Sequence, residues 1–496
     1  MRKKGIILII FLFFISTISV YSNNQKCSCN CFTIIAGKNA TADGSVLLAH
    51  NEDDGGNRYL QIMRVPSKNF PSPAFAFLKN GEKIEVSSHT QELIWFEMPE
   101  LYFADSFLNE SGVVIVSNGC ASKEKAQEKG KISYMLRRLV AERARSAREA
   151  VLLLGKFVEK YGYDSSGRTY SIADSNEGWM VAVVKGHHWV AERVDDDKVA
   201  IIPNHYNIHK IDLKNSKKFL GSKDIISFAI KHGLYNPQKD GEFDFAKVYA
   251  TNLKNTYNTY RQWSALRLIG GDRFKVEDIY PFEITPEKKL SPKDLMRVLR
   301  DHFEGTEYDL SKKKGGPNTP STYENKRPIC VYTTRYSIVA QLRKNLPKPI
   351  SSLLWVSIGK PDTSFFIPIY FGIKDFPADF SFKKPPYDYE SIVKLHFSPV
   401  KSYFLKNKLI YTRVRQMERF IEKDYYNRIK VLKGIFGNFE KELLNLQPQF
   451  EKNFLSIYKQ DKKRALFFLD TYFKGIYINF KEKIEKAERV FIKSSN

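Results

Sequence analysis

From Cys31 the chain reads CFTIIAGKNATADGSVLLAHNEDDGG, two apolar runs joined by a turn. Residues 32–36 are β-branched and apolar, the composition of a buried strand. Residues 38–44 have turn composition and 45–49 are apolar again, so the segment reads as a hairpin. A buried hairpin commits a chain to a core containing a sheet. His50, Asn51, Glu52 and Asp53 follow at the end of the second strand. The hairpin returns Asp53 towards Cys31, so a thiol and a carboxylate meet at one end of a sheet.

Strand-like runs with short turns dominate 31–120 and 168–212 and return at 329–339, 352–358 and 363–371. Helical periodicity dominates 133–161 and 257–269. Ser291-Pro-Lys-Asp294 is a helix-start signal for a helix over 291–303. The fold class is therefore α+β. With 43% apolar and 14% aromatic residues among 496, the composition excludes disorder over most of the length. Pro385-Pro386 marks a break near residue 381, after which long helical patterns run over 390–433, 436–459 and 461–492.

The net charge is +24, which by itself points to a polyanion partner. Residues 381–496 hold 25 Lys and Arg against 13 Asp and Glu, so half of the excess lies in this helical tail. Lys and Glu are intermixed there, the pattern of helices that pack on a core and solvate their lysines. No nucleic-acid partner is expected.

The chain starts with Arg2, Lys3 and Lys4, then an apolar stretch over 5–20, short for a membrane span, and small residues up to Ser22. This reads as a secretory signal peptide over 1–22 and places the protein outside the cytoplasm, periplasmic or extracellular. No stable membrane insertion is expected after its removal. Cys27, Cys29 and Cys31 follow at alternate positions. They suit a thiolate metal site, a disulfide, or a cysteine that becomes the mature N-terminus. No His or Cys pair at ligand spacing lies downstream, and the nine His show no H-E-x-x-H pattern, so no metal or cofactor is called for. Cys120 and Cys330 read as isolated, inert packing thiols.

The pattern Cys31-x-Thr33, Gly37, Asp43-Gly-Ser45 and Asn51-Glu-Asp53 resembles the opening of the N-terminal-nucleophile cysteine dipeptidases of the peptidase-D type. His50 stands where that family has Arg. Six further segments resemble the family in order: Asn109-Glu-Ser-Gly-Val, Tyr170-Ser-Ile-Ala-Asp174 with Glu177-Gly-Trp179, Ile202-Pro-Asn204-His-Tyr, Tyr260-Arg261-Gln-Trp263, Arg300-Asp-His-Phe-Glu-Gly-Thr306 with Tyr308-Asp309, and 363–370. The resemblance spans roughly 31–375. It implies a four-layer αββα sandwich over 31–380, with 381–496 as a helical extension and 23–30 as a propeptide.

It also implies a chemistry. Cys31 would be the nucleophile and, after the 30–31 bond is cut, its own α-amine the base. A free α-amine titrates near ~7.7–8.0, so a usable fraction is neutral at physiological pH. Cys27 and Cys29 would hold the thiol two to four residues from the strand, at up to ~3.6 Å each, and would be lost on maturation. Asp53 would hold the amine, Asn204 would donate to the oxyanion, and Arg261 would steady the thiolate. The bland alternatives are a turn Asp, a strand-end Asn and a solvated helix-face Arg. Asn118 is a second oxyanion candidate, while Asp301 and His302 line a groove or pair structurally. The expected substrate is a dipeptide or short peptide. The rivals are an amidase for N-acyl amino acids or bile-salt-like conjugates, and an inert polyanion-binding surface protein. A homo-oligomer is left open.

Overall fold

In the computed structural model the described residues are 31–491, apart from 56–58, 79–80, 124–129, 277–278, 314–315, 318–322, 383–387 and 399–408. The expected signal peptide and propeptide, with Cys27 and Cys29, lie outside them.

Two antiparallel sheets stack face to face. The first has seven strands in the order Glu283–Ile284, Val199–Ile202, Phe32–Ala36, Val46–Asp53, Thr334–Leu342, Ser352–Ile358 and Ile367–Tyr370. The second has eight: Phe219–Gly221, Trp189–Val194, Gly178–Gly186, Tyr163–Ala173, Val114–Gly119, Ser106–Asn109, Leu93–Glu97 and Gln61–Val65. The N-terminal hairpin thus lies in the middle of its sheet, between Val199–Ile202 and Thr334–Leu342.

Strand alternation divides the second sheet between two cores. Met180, Ala182 and Val184 face the first sheet, alongside Ile35, Leu48 and Ile338. Trp179, Val181 and Val183 face the other way, onto Leu139, Val151, Leu154 and Val158. Those four belong to helices Leu136–Ala141 and Ala147–Tyr161, which form the outer layer on that side. Gly155 lies against the Trp189 indole, where a Cβ would collide with the ring. Helices Thr256–Gly270 and Pro292–Leu299 cover the first sheet. The order helix, sheet, sheet, helix is the expected four-layer sandwich.

Helix Pro292–Leu299 starts where its sequence signal lies, with Ser291 N–H donating to Asp294 Oδ2 at 2.9 Å. It is shorter than the expected 291–303. Arg300 is its C-cap, and Phe303 takes a φ of 65°, which a helix does not allow. Asp301 and His302 are therefore loop residues. The expected helix over 133–161 is likewise broken, at 142–146, by Ser146, which caps the second helix by accepting from Glu149 N–H.

The tail forms helices Tyr389–His396, Ile410–Glu422, Tyr425–Phe436, Phe439–Gln460 and Lys462–Phe491. Val414, Leu432, Phe454, Leu469 and Phe480 share one core with the first sheet. Several acidic residues of the tail turn inward. Glu440 takes both arms of Arg300 (2.8 and 2.6 Å), Glu451 pairs with Arg343, and Glu422 pairs with the buried Lys360. Lys430, Lys441, Lys452, Lys463 and Lys474 are exposed.

Candidate active site

Hairpin register fixes the centre of the site. Phe32 pairs with Asn51, so Cys31 stands opposite Glu52. The Cys31 thiol donates to Glu52 Oε1 at 3.1 Å, and the backbone N–H of Asp53 points at the sulfur. The carboxyl group that meets the thiol is therefore that of Glu52, whereas Asp53, expected to return towards Cys31 and hold its amine, meets the sulfur through its backbone N–H. Side chains alternate along a strand, so the Asp53 carboxylate leaves on the opposite face. There it accepts from Thr334 Oγ1 at 2.6 Å and from Arg327 Nη2 at 2.9 Å.

Behind Glu52 the hydrogen bonds define where the protons are. Asn118 Nδ2 donates to the carbonyls of Ile202 and Pro203 at 3.2 and 3.0 Å, which leaves Oδ1 for Thr33. Thr33 Oγ1 donates to that oxygen at 2.6 Å and so must accept from His50 Nδ1, at 2.7 Å. In a neutral ring His50 Nε2 is then an acceptor. It meets Glu52 Oε2 at 3.2 Å, so that oxygen carries a proton. The titration tendencies agree. Burial, helped by Arg137 and Arg168, pulls His50 down to about 3. Burial lifts Glu52 well above the carboxylate range, against the pull of Arg137. Glu52 is a neutral acid here, locked by His50 so that Oε1 faces the thiol. Burial, with the Asp53 charge adding, also raises the thiol.

Arg261 is fully buried, which overturns the solvated-face alternative. Its Nη1 donates to the Cys31 carbonyl at 3.1 Å, and its Nη2 to Asn204 Oδ1 at 2.8 Å and Asn258 Oδ1 at 2.7 Å. Asn204 in turn donates from Nδ2 to the Gly119 carbonyl at 2.9 Å. The structure thus brings Cys31, Asn204, Arg261 and the backbone of Asp53 to one end of the sandwich. Asn118, the alternative oxyanion donor, spends its amide N–H groups on two carbonyls and serves instead to align Thr33.

Among the residues at the site that escaped the sequence reading are Glu52, Arg137 and Arg168. Counting register from the hairpin turn would have found Glu52. The two arginines come from distant elements and left no local signal. Asp301 accepts from Ser264 Oγ at 2.6 Å, and His302 lies beside Glu304 and Asp362 at 3.1 and 3.7 Å. Both face the loops around Arg300, and neither is among the side chains that touch Cys31.

A strand-opening thiol at one end of an αββα sandwich, with an amide and a guanidinium against its backbone, defines a thiol hydrolase of amide bonds. The chain belongs to peptidase family C69, whose family model matches residues 114–398. It is 28% identical over 379 residues to the Probable dipeptidase of Salmonella dublin, covering 70% of this chain and 83% of that protein. It is also 28% identical over 369 residues to the Probable dipeptidase of Latilactobacillus sakei, covering 70% and 75%. Among solved structures, a mutant conjugated bile acid hydrolase from Clostridium perfringens is 13% identical over 69% of this chain and 92% of its own, at a TM-score of 0.28.

Proposed function

We propose that this protein is a secreted cysteine dipeptidase whose nucleophile is Cys31, freed as the N-terminal residue by removal of everything before it. The observation that carries this reading is the position of Cys31. It opens the central hairpin, with its carbonyl on Arg261 and its sulfur beside the Asp53 N–H. The dipeptidase names of the family C69 relatives support the substrate class. The cationic and apolar start of the chain supports secretion.

In this scheme the thiol gives its proton to its own α-amine and attacks the peptide carbonyl. Asn204 donates to the oxyanion, held in place by Arg261 and Gly119. The α-ammonium then protonates the departing amine of the C-terminal amino acid, and water hydrolyses the thioester to release the N-terminal amino acid. Asp53 positions its strand end through Arg327 and Thr334 and so aims its own N–H. Cleavage before Cys31 by its own thiol, an N-to-S acyl shift followed by hydrolysis, generates the amine.

A dipeptide panel with the wild type and the Cys31→Ser and Cys31→Ala variants tests the reading. Cleavage by the wild type is expected, with loss of at least a thousandfold in Cys31→Ala. Cleavage by Cys31→Ala at the normal rate refutes it.

A further inference from the structure

Arg137, on helix Leu136–Ala141, and Arg168, on strand Tyr163–Ala173, converge on one hydroxyl. Each donates from Nη1 to Ser117 Oγ at 3.0 Å. They are 2% and 3% exposed, yet Arg137 Nη2 and Arg168 Nε meet no acceptor. The other fully buried arginines among the described residues are better matched. Arg138 holds Glu142, Arg327 holds Asp53, Arg335 holds the Asp54 carbonyl, and Arg261 holds four oxygens.

Two buried guanidinium charges facing one neutral hydroxyl are costly unless an anion joins them. Among the described residues no carboxylate pairs with Arg137 or Arg168. Glu52, which feels Arg137 most strongly, is the protonated acid described above. Asp105 is engaged by Trp95 Nε1 and the Met98 N–H at 3.0 and 3.1 Å. The ring of Phe103 lies 4.0 Å under the Arg168 guanidinium and closes one side.

The pair lies at the nucleophile's end of the sandwich. Arg168 pairs along the strands with Gly119, whose carbonyl holds Asn204, and a Cys31 thiolate would lie within its electrostatic reach. Ser117 precedes Asn118, which aligns Thr33 two residues from the thiol. An enzyme that cleaves dipeptides must sense a chain end. The C-terminal carboxylate of a dipeptide lies only one residue, ~3.6 Å of chain, from the scissile bond. Planar guanidinium forks match a carboxylate in shape and charge.

We propose that Arg137 and Arg168 form an anion cradle that binds the C-terminal carboxylate of the substrate. This rests on the dipeptidase reading above and names how that site recognises its substrate class.

The test compares matured wild-type enzyme on a dipeptide and on the same dipeptide with a C-terminal carboxamide. The free acid is expected to be preferred on the order of 10–100-fold in kcat/KM, the worth of one or two charged hydrogen bonds. Arg137→Gln and Arg168→Gln should bring the acid-to-amide ratio towards one, chiefly through KM, and Arg168→Lys should restore part of it. Equal cleavage of acid and amide by the wild type overturns the cradle, and that arm requires no variant to fold. So does an undiminished ratio in folded Gln variants. If no dipeptide is cleaved but N-acyl amino acids are, the dipeptidase reading fails alone. The same acid-to-amide comparison on the N-acyl amino acid then decides the cradle.

Discussion

Replacing Glu52 with Gln distinguishes a neutral acid from an ionised base beside the thiol. The amide is isosteric with the protonated carboxyl. Its carbonyl can accept from Cys31 Sγ as Oε1 does at 3.1 Å, and its NH₂ can donate to His50 Nε2 as Oε2 does at 3.2 Å. Activity of Glu52→Gln should therefore stay within about threefold of wild type. Glu52→Ala leaves His50 Nε2 buried without a donor, about 1–3 kcal/mol. It also opens a small cavity worth about 1 kcal/mol more, so a stability loss of about 2–4 kcal/mol is expected. The pH dependence gives a second reading. Burial raises Glu52 in the folded protein, so the native state keeps a proton that the unfolded chain sheds. Wild-type stability therefore falls as pH rises above the unfolded value near ~4.3, by at most ~1.4 kcal/mol per unit until the folded value is passed. Glu52→Gln lacks this loss, so its melting temperature should gain on wild type steadily from pH 5 to 8. Steady-state kinetics on a dipeptide and thermal melts across that range measure both. A loss beyond a hundredfold in folded Glu52→Gln would mean that an ionised Glu52 does chemistry, and would refute the proton assignment.

Other consequences follow from packing and charge. Burial raises Glu192 to about 8, with Glu283 and Asp195 adding and Lys218 opposing. Glu192→Gln should thus be no more stable than wild type at pH 4 but more stable above pH 8, as melts at both ends would show. Gly155→Ala drives a methyl into Trp189 and should cost about 1–3 kcal/mol in denaturant unfolding, with near-UV signal lost from the indole. Glu440→Gln removes the carboxylate that takes both arms of Arg300. It should lower stability by about 1–3 kcal/mol and make helix Phe439–Gln460 more open to proteolysis, while Lys441→Gln on its exposed side should do neither.

The parts legible in sequence were those set by local period. The N-terminal hairpin, the Ser291 helix start and the strand over 352–358 fall where expected, because alternation and capping act within a few residues. The tail's helices were also legible, but not which of their carboxylates turn inward. Glu440, Glu451 and Glu422 are drawn inward by Arg300, Arg343 and Lys360, partners 62 to 140 residues away. The site divided along the same line. Cys31, Asn204 and Arg261 were visible through motifs, and burial of Arg261 raises it above an ordinary helix arginine. Glu52 was passed over because Asp53 matched the motif, although strand register hands the thiol to its neighbour. Arg137 and Arg168 meet only through the stacking of a helix on the second sheet, which no window of sequence contains.

In this mechanism Cys31 acts as an N-terminal residue. Intact mass of the active protein, alongside Cys31→Ala, tests this. The expected wild-type mass matches residues 31–496, and the Cys31→Ala product is inactive and still carries residues ahead of position 31. An active wild-type protein that retains those residues would contradict it.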